Sequence, residues 1–162
     1  MALVQAYLEQ VPVNEPRPVA VEVGTEAPLV DPATGEDLGI PLVGIMDLIL
    51  PDADGSLIAD FKTTARSGEP LEIVHEIQLS CYPYLFRHAS QVREGGLEIR
   101  NLVKTRIPKV QFHRYAARTE KHFVRLFSVI RAYLDDLHSG TFLFRPGLGC
   151  TMCDYRGMCH LS

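Results

Sequence analysis

Hydrophobic positions along this chain repeat with two different periods, which separate the predicted helices from the predicted strands. Spacings of three and four residues predict helices at residues 2–11, 69–90 and 119–140. Alternation, or a short apolar run between turn residues, predicts strands at residues 19–28, 42–50, 56–62, 97–105 and 109–117. The order helix, three strands, helix, two strands, helix is typical of a mixed α/β fold, in which helices flank a central mixed sheet.

The length of 162 residues fits one domain, and the composition of 46% hydrophobic and 22% charged residues is that of a soluble globular protein. We divide it into an N-terminal helix and linker (1–18), a core (19–140) and a cysteine-rich tail (141–162). No apolar run reaches the roughly 20 residues that span a bilayer. Because no signal peptide opens the chain either, we expect a cytoplasmic protein.

The net charge of −4 conceals a strong separation of charge along the chain. Residues 1–60 contain eleven acidic side chains and one basic one, whereas residues 99–131 contain nine basic side chains and one acidic one. A basic region of this density is able to follow a phosphate backbone. The alternative is a solvated surface without a ligand. The residues that we assign to nucleic-acid binding are Arg100, Lys104, Arg106, Lys109 and Arg114.

Two aspartates occur inside otherwise apolar predicted strands, Asp47 in GIMDLIL and Asp60 in LIADFK, and Lys62 follows Asp60 by two residues. Because strand side chains alternate, Asp60 and Lys62 share one face. If Asp47 faces the same side, the two carboxylates hold Mg²⁺ or Mn²⁺ with the help of a backbone carbonyl, which we assign to Phe61. Lys62 then orients water or neutralises charge during attack on a phosphate. The alternative is a buried ion pair without catalysis.

Gln78 and Tyr82 lie one turn apart in the second predicted helix, and therefore on one face of it. Glutamine is unusual at an inward position of so apolar a segment (EIQLSCYPYLF), because a buried amide needs hydrogen-bond partners. An active site would supply such partners. The alternative is an ordinary helix surface. His75 lies one turn before Gln78, and we interpret it as a surface residue.

Three motifs in this order and spacing, G-x-x-D at 44–47, D-F-K-T at 60–63 and Q-x₃-Y at 78–82, resemble those of the PD-(D/E)XK nucleases. The resemblance is to their RecB-like branch, which includes CRISPR-associated RecB-like exonucleases and the AddB nuclease domain, and it covers residues 19–159. It implies a restriction-endonuclease-like core. It also implies a catalytic site built from Asp47, Asp60, Lys62, Gln78 and Tyr82, with Asp60 where many members have glutamate.

The function that this resemblance implies is a metal-dependent deoxyribonuclease, with exonuclease action on single-stranded DNA ends. Partners in recombination, repair, CRISPR or phage DNA processing stay open. The alternative is a non-catalytic DNA-binding or structural module of the same fold, stabilised by a C-terminal zinc or iron–sulfur site. The chain contains no P-loop, G-x-G-x-x-G or G-x-S-x-G string, so NTPase, dinucleotide-binding and serine-hydrolase functions have no support.

Three clustered cysteines, Cys150, Cys153 and Cys159, form a C-x₂-C-x₅-C pattern that predicts a metal site in a reducing compartment. The resemblance implies a [4Fe–4S] cluster there, but its fourth cysteine, expected near the N-terminus, is absent from this chain. His160 next to Cys159 offers a Cys₃His zinc site as the alternative. We interpret Cys81 as a small core residue.

The N-terminal helix also departs from the RecB-like pattern. Members of that branch carry a histidine or glutamate near the metal on a helix ahead of the first strand, and the helix at 2–11 offers only Glu9. We therefore expect this chain to be the C-terminal part of a longer nuclease, or a shortened relative.

Overall fold

A computed structural model describes residues 2–68, 70, 72–140 and 147–159. Its elements follow the predicted order, with boundaries shifted by a few residues. They are α1 (Ala2–Gln10), β1 (Ala20–Val30), β2 (Asp37–Asp52), β3 (Gly55–Thr64), α2 (Glu72–Ser90), β4 (Gly96–Val103), β5 (Lys109–Ala116) and α3 (Glu120–His138). A 3-10 helix (Leu148–Met152) and the short α4 (Arg156–Cys159) lie in the cysteine-rich tail.

The five strands form one mixed sheet in the order β1-β2-β3-β4-β5. Neighbouring strands are antiparallel except β3 and β4, which are parallel. A parallel pair cannot be joined by a tight turn, and here α2 forms the crossover between β3 and β4. The predicted mixed α/β class, with a mixed sheet flanked by helices, is confirmed.

Helices cover both faces of the sheet. The face under α2 carries a core to which Leu79 and Phe86 of the helix contribute, and its strand residues are Met46, Ile49, Ile58, Leu97 and Ile99. On the opposite face, α1 packs against β4 and β5. Phe61 there joins a second cluster formed by Leu48, Leu50, Leu57 and Ala59. The sheet is therefore buried on two sides along β3, which explains the apolar character of that strand.

The chain divides into two compact units, Met1–Phe127 and Ser128–Ser162. The first contains the sheet, α1, α2 and the start of α3. The second contains the rest of α3 and the cysteine-rich tail. Among the described residues, no helix is long and apolar enough to cross a membrane.

A close backbone approach holds the β2–β3 turn against the start of β4. The Gly95 N–H donates to the Ser56 carbonyl over 2.8 Å, and a Cβ at Gly95 would lie 2.8 Å from the backbone carbon of Asp54. That distance is shorter than Cβ contacts allow, and the obstructing atoms belong to backbone, which moves only with the whole turn.

We therefore expect Gly95→Ala to lower the free energy of unfolding by about 1–3 kcal/mol, the usual cost of overpacking. Gly24→Ala is the matched control, because a Cβ there meets nothing within 4 Å. It should change the free energy by less than about 0.5 kcal/mol. Urea unfolding of the two variants measures the difference, and equal stabilities would contradict the close approach.

Candidate active site

The two strands that carry the acidic residues separate at the site itself. The antiparallel β2–β3 ladder ends at the pair Leu48–Ala59, and the next pair would place Asp47 opposite Asp60. Instead, Asp47 Oδ2 accepts the Phe61 N–H over 2.8 Å. A side-chain carboxylate thus replaces a strand partner, which fixes Asp47 beside β3 and leaves room between the strands.

The alternation of β2 also breaks at Asp47. Met46 and Ile49 both pack under α2 although they are three residues apart, whereas regular alternation would place them on opposite faces. Across from this point on β1, Glu22 has a φ of 50°, in the left-handed region. A non-glycine residue in that region costs about 1–2 kcal/mol. Backbone strain in β1 therefore accompanies this break, at which Met46 joins the α2 side of the sheet that Asp47 shares with Ile49.

Asp60 is the centre of the polar cluster. Its side chain is 4% exposed, and Lys62 Nζ lies 2.8 Å from Oδ2 as its counter-charge. Gln78 Nε2 donates to Asp60 Oδ1 over 3.0 Å and lies 2.7 Å from the Tyr82 hydroxyl, which is itself 3.4 Å from the same Oδ1. The structure thus brings Asp47, Asp60, Lys62, Gln78 and Tyr82 together under the helix α2.

Burial decides the electrostatics of this cluster. Loss of water raises the pKa of Asp60 above its usual range; Lys62 opposes this shift, and the Asp47 carboxylate adds to it. Burial likewise raises the pKa of the Tyr82 hydroxyl. The lysine therefore offsets only part of the cost of burying the Asp60 carboxylate.

The donor set suits a hard divalent cation. Asp60 Oδ2 is buried and accepts no hydrogen bond of good geometry, so it faces only the Lys62 ammonium. No group of three or more His, Cys, Asp or Glu side chains is placed to hold a metal within the described parts of the chain. Mg²⁺ is ordinarily bound by one or two carboxylates together with water and substrate oxygens. Asp47 and Asp60 fit that pattern.

The residues assigned to nucleic-acid binding separate into two groups. Arg100 differs from the expectation: it is 2% exposed and lies on the face away from α2, 2.5 Å from Glu15 and 2.7 Å from Glu98. The register places Arg114 on that face too, and it forms an ion pair with Asp52. The other three assigned residues, Lys104, Arg106 and Lys109, are exposed at or beside the connection between β4 and β5.

The structure bears differently on Cys81 and on the three cysteines of the tail. Burial raises the pKa of the Cys81 thiol to about 11, which is the behaviour of an inert core residue. Cys150, Cys153 and Cys159 are not joined by disulfides. The metal site that they predict stays a prediction, and His160 lies outside the described residues.

A groove of about 600 Å³ adjoins the cluster, and sequence reasoning did not assign Arg66 or Asn101 of its wall to the site. Lys62, Arg66, His75 and Asn101 are among the residues that line it. His75 is half-buried and lines this groove. Asn101 lies in β4 (GLEIRNLV), which also carries Glu98 and Arg100, so the sequence lacks the isolated polar position in an apolar strand that singled out Asp47 and Asp60.

Comparison with known proteins places this geometry in a context. Residues 1–160 match the model of a family described as the PD-(D/E)XK nuclease superfamily. A Eubacterium rectale protein described as a "Putative exonuclease" has a similar fold, with a TM-score of 0.62 and 15% identity over 99% of this chain and 58% of its own. The structure of SSO0001 aligns with a TM-score of 0.55 and 21% identity over 86% of this chain and 59% of its own. The chain thus spans less than two thirds of either structure. No curated protein matches it.

The raised pKa of Asp60 has a consequence for stability. The folded state binds a proton at this carboxyl more tightly than the unfolded state does, so stability is lost as the pH rises through the folded pKa. We expect Asp60→Asn, measured without divalent metal, to gain stability relative to the parent protein as the pH rises. The Asp54→Asn variant, which removes an exposed carboxylate, controls for the loss of one negative charge. Urea unfolding at several pH values tests this expectation, and a difference that shrinks as the pH rises would contradict it.

Proposed function

This chain belongs to the PD-(D/E)XK nuclease superfamily, and from that membership we propose that it is a metal-dependent nuclease that hydrolyses phosphodiester bonds in DNA. The observation that carries the proposal is the buried Asp60 carboxylate, which Lys62, Gln78 and Tyr82 contact while Asp47 is held beside it. A purely structural ion pair needs neither the glutamine nor a second carboxylate.

The two aspartates have the role of metal ligands in this proposal, with the Phe61 carbonyl as a third oxygen donor. A bound Mg²⁺ or Mn²⁺ would polarise the scissile phosphate and lower the pKa of a water nucleophile. Gln78 and Tyr82 orient Asp60 by hydrogen bonds to Oδ1, which leaves Oδ2 for the cation. The Phe61 N–H orients Asp47 in the same way.

Lys62 is placed to act on the water and the substrate. Its side chain is 29% exposed, so the ammonium reaches solvent while it contacts Asp60. An ammonium in this position orients the attacking water or neutralises charge that develops on the phosphate. With a cation as the partner of Asp60, Lys62 would be able to turn towards the substrate.

The assignment to a branch of the superfamily rests on the three sequence motifs at residues 44–47, 60–63 and 78–82. We propose the RecB-like branch, with Asp47, Asp60, Lys62, Gln78 and Tyr82 as its catalytic residues, and exonuclease action on single-stranded DNA ends. Lys104, Arg106 and Lys109 are the remaining surface candidates for contacts with the DNA backbone. Recombination, repair, CRISPR and phage proteins are the classes of partner that such a nuclease would serve.

We expect Lys62→Ala to lower Mn²⁺-dependent cleavage of labelled single-stranded DNA by roughly a hundredfold or more, the usual effect of removing one preorganised electrostatic contact. Lys121→Ala, which removes an exposed lysine from α3, should cleave at the parent rate. EDTA should abolish cleavage by the parent protein and by the Lys121→Ala variant. Undiminished activity of Lys62→Ala would refute the assignment. DNA binding without any cleavage by the parent protein would favour the non-catalytic module.

The cysteine tail supports a second, separate proposal. The C-x₂-C-x₅-C spacing favours a metal site formed by Cys150, Cys153 and Cys159, either a [4Fe–4S] cluster or zinc. Metal analysis of protein purified without oxygen separates the two, because a cluster yields iron with acid-labile sulfide. We expect Cys153→Ser to lose the metal and Cys81→Ala to retain it. Equal metal content in the two variants would contradict the site.

A further inference from the structure

The groove beside the active site begins at Lys62 and runs past the end of β3 towards α2. Its described lining includes Lys62, Arg66 and His75 but no acidic side chain, although the chain as a whole has 20 acidic residues against 16 lysines and arginines. The described lining of this groove is therefore basic, whereas the protein as a whole has a net negative charge. A groove of this kind favours an anionic ligand.

A polar row crosses the sheet at the groove, and two of its members, Lys62 and Asn101, line the groove. In the register, Lys62 of β3 lies beside Asn101 of β4, which lies opposite Gln111 of β5. All three lie on the α2 side, the side of Asp60. Such a row interrupts the apolar core that the same face forms under α2, and the burial of its amides is costly unless they are hydrogen-bonded.

Asn101 has hydrogen-bonding capacity to spare. It is 2% exposed, and among the described residues its carboxamide has two hydrogen-bond partners: the Thr64 hydroxyl at 3.0 Å, and Gln111 Oε1 at 3.5 Å, the limit of a hydrogen bond. The Thr64 hydroxyl also lies 3.0 Å from the Arg66 carbonyl, and its single hydrogen serves one of these two acceptors. A buried amide so weakly bonded on a groove wall is one that a ligand oxygen would satisfy.

Two cationic or donor side chains complete the wall. His75 lies one turn before Gln78 on α2, on the helix side that faces Asp60, and it lines the groove. Arg66 is exposed at the start of the connection from β3 to α2, so its guanidinium is free to approach a ligand from the solvent side. Arg66 thus follows the strand that carries Lys62, and His75 lies on the helix that carries Gln78.

We propose that this groove binds the phosphate next to the scissile one on the DNA strand, with Arg66, His75 and the Asn101 amide as its donors. The proposal rests on the proposed nuclease function and adds the path of the strand. The DNA strand would leave the catalytic cluster at Lys62 and continue over β4 towards the start of α2. Arg66, His75 and Asn101 are then substrate-binding residues outside the three motifs.

The test neutralises one phosphate at a time. Asp60→Asn protein, which does not cleave, is titrated by fluorescence anisotropy with single-stranded oligonucleotides that carry one methylphosphonate at successive positions. The same series is repeated in the Asp60→Asn protein that also carries Arg66→Ala. Arg17→Ala in the same background is the matched control, because Arg17 is exposed in the linker that precedes β1.

We expect a methylphosphonate at one position to weaken binding roughly tenfold in Asp60→Asn protein, the usual range for one hydrogen bond to a charged group. The weakening should become clearly smaller when Arg66→Ala is added, because only the His75 and Asn101 donors then remain, and it should persist in full when Arg17→Ala is added. The dependence of binding on salt should also become weaker by about one phosphate contact in the Arg66→Ala protein. Position effects that are the same in all three proteins would overturn the proposal.

Cleavage kinetics separate failure of this proposal from failure of the proposed function. Arg66→Ala in otherwise unchanged protein should raise KM for single-stranded DNA roughly tenfold and leave kcat near the parent value. Cleavage by the parent protein with no change of KM in Arg66→Ala would overturn the phosphate site and leave the nuclease function standing. Absence of both cleavage and DNA binding in the parent protein would overturn both.

Discussion

The burial of one carboxylate is the constraint on which the rest of this site depends. Asp60 lies in a strand that is covered on both faces, and the loss of water there raises its pKa even with Lys62 at 2.8 Å. Every neighbouring feature bears on that cost: the lysine supplies counter-charge, Gln78 and Tyr82 supply hydrogen bonds, and Asp47 adds repulsion. A cation bound between the two aspartates would relieve the repulsion. The two carboxylates are thus arranged so that a bound divalent metal would offset an unfavourable interaction that the protein groups leave in place.

The topology of the sheet brings the parts of the site together. The parallel step from β3 to β4 requires a long crossover, and α2 fills it, so Gln78 and Tyr82 lie directly over Asp60. The same step places β4 beside β3, which sets Asn101 next to Lys62. One topological feature thus builds both the polar cluster around Asp60 and the groove beside it. The β2–β3 ladder ends next to Asp47, whose carboxylate accepts the Phe61 N–H in place of a strand partner.

The two faces of the sheet use charge for different purposes. On the α1 side, Arg100 is enclosed by Glu15 and Glu98 and by the rings of Tyr7, Phe61 and Phe112, so its charge stabilises the packing of the linker against the sheet. On the α2 side, Lys62 stays partly open to solvent. Removal of either partner of a buried pair such as Arg100–Glu15 leaves an uncompensated charge, which is strongly destabilising. We therefore regard Arg100 as part of the scaffold.

The sequence by itself determined the order of the elements and the residues that share a face within each of them. Asp60 and Lys62 share one side of β3, and Gln78 and Tyr82 one side of α2, because these relations follow from the period of a single strand or helix. Only the tertiary structure decided that Asp47 leaves its ladder, that Arg100 is buried and that Asn101 lies beside Lys62. These relations depend on the register and burial of strands distant in the chain. Local periodicity does not encode these relations, because packing between elements sets both the register and the burial of the strands.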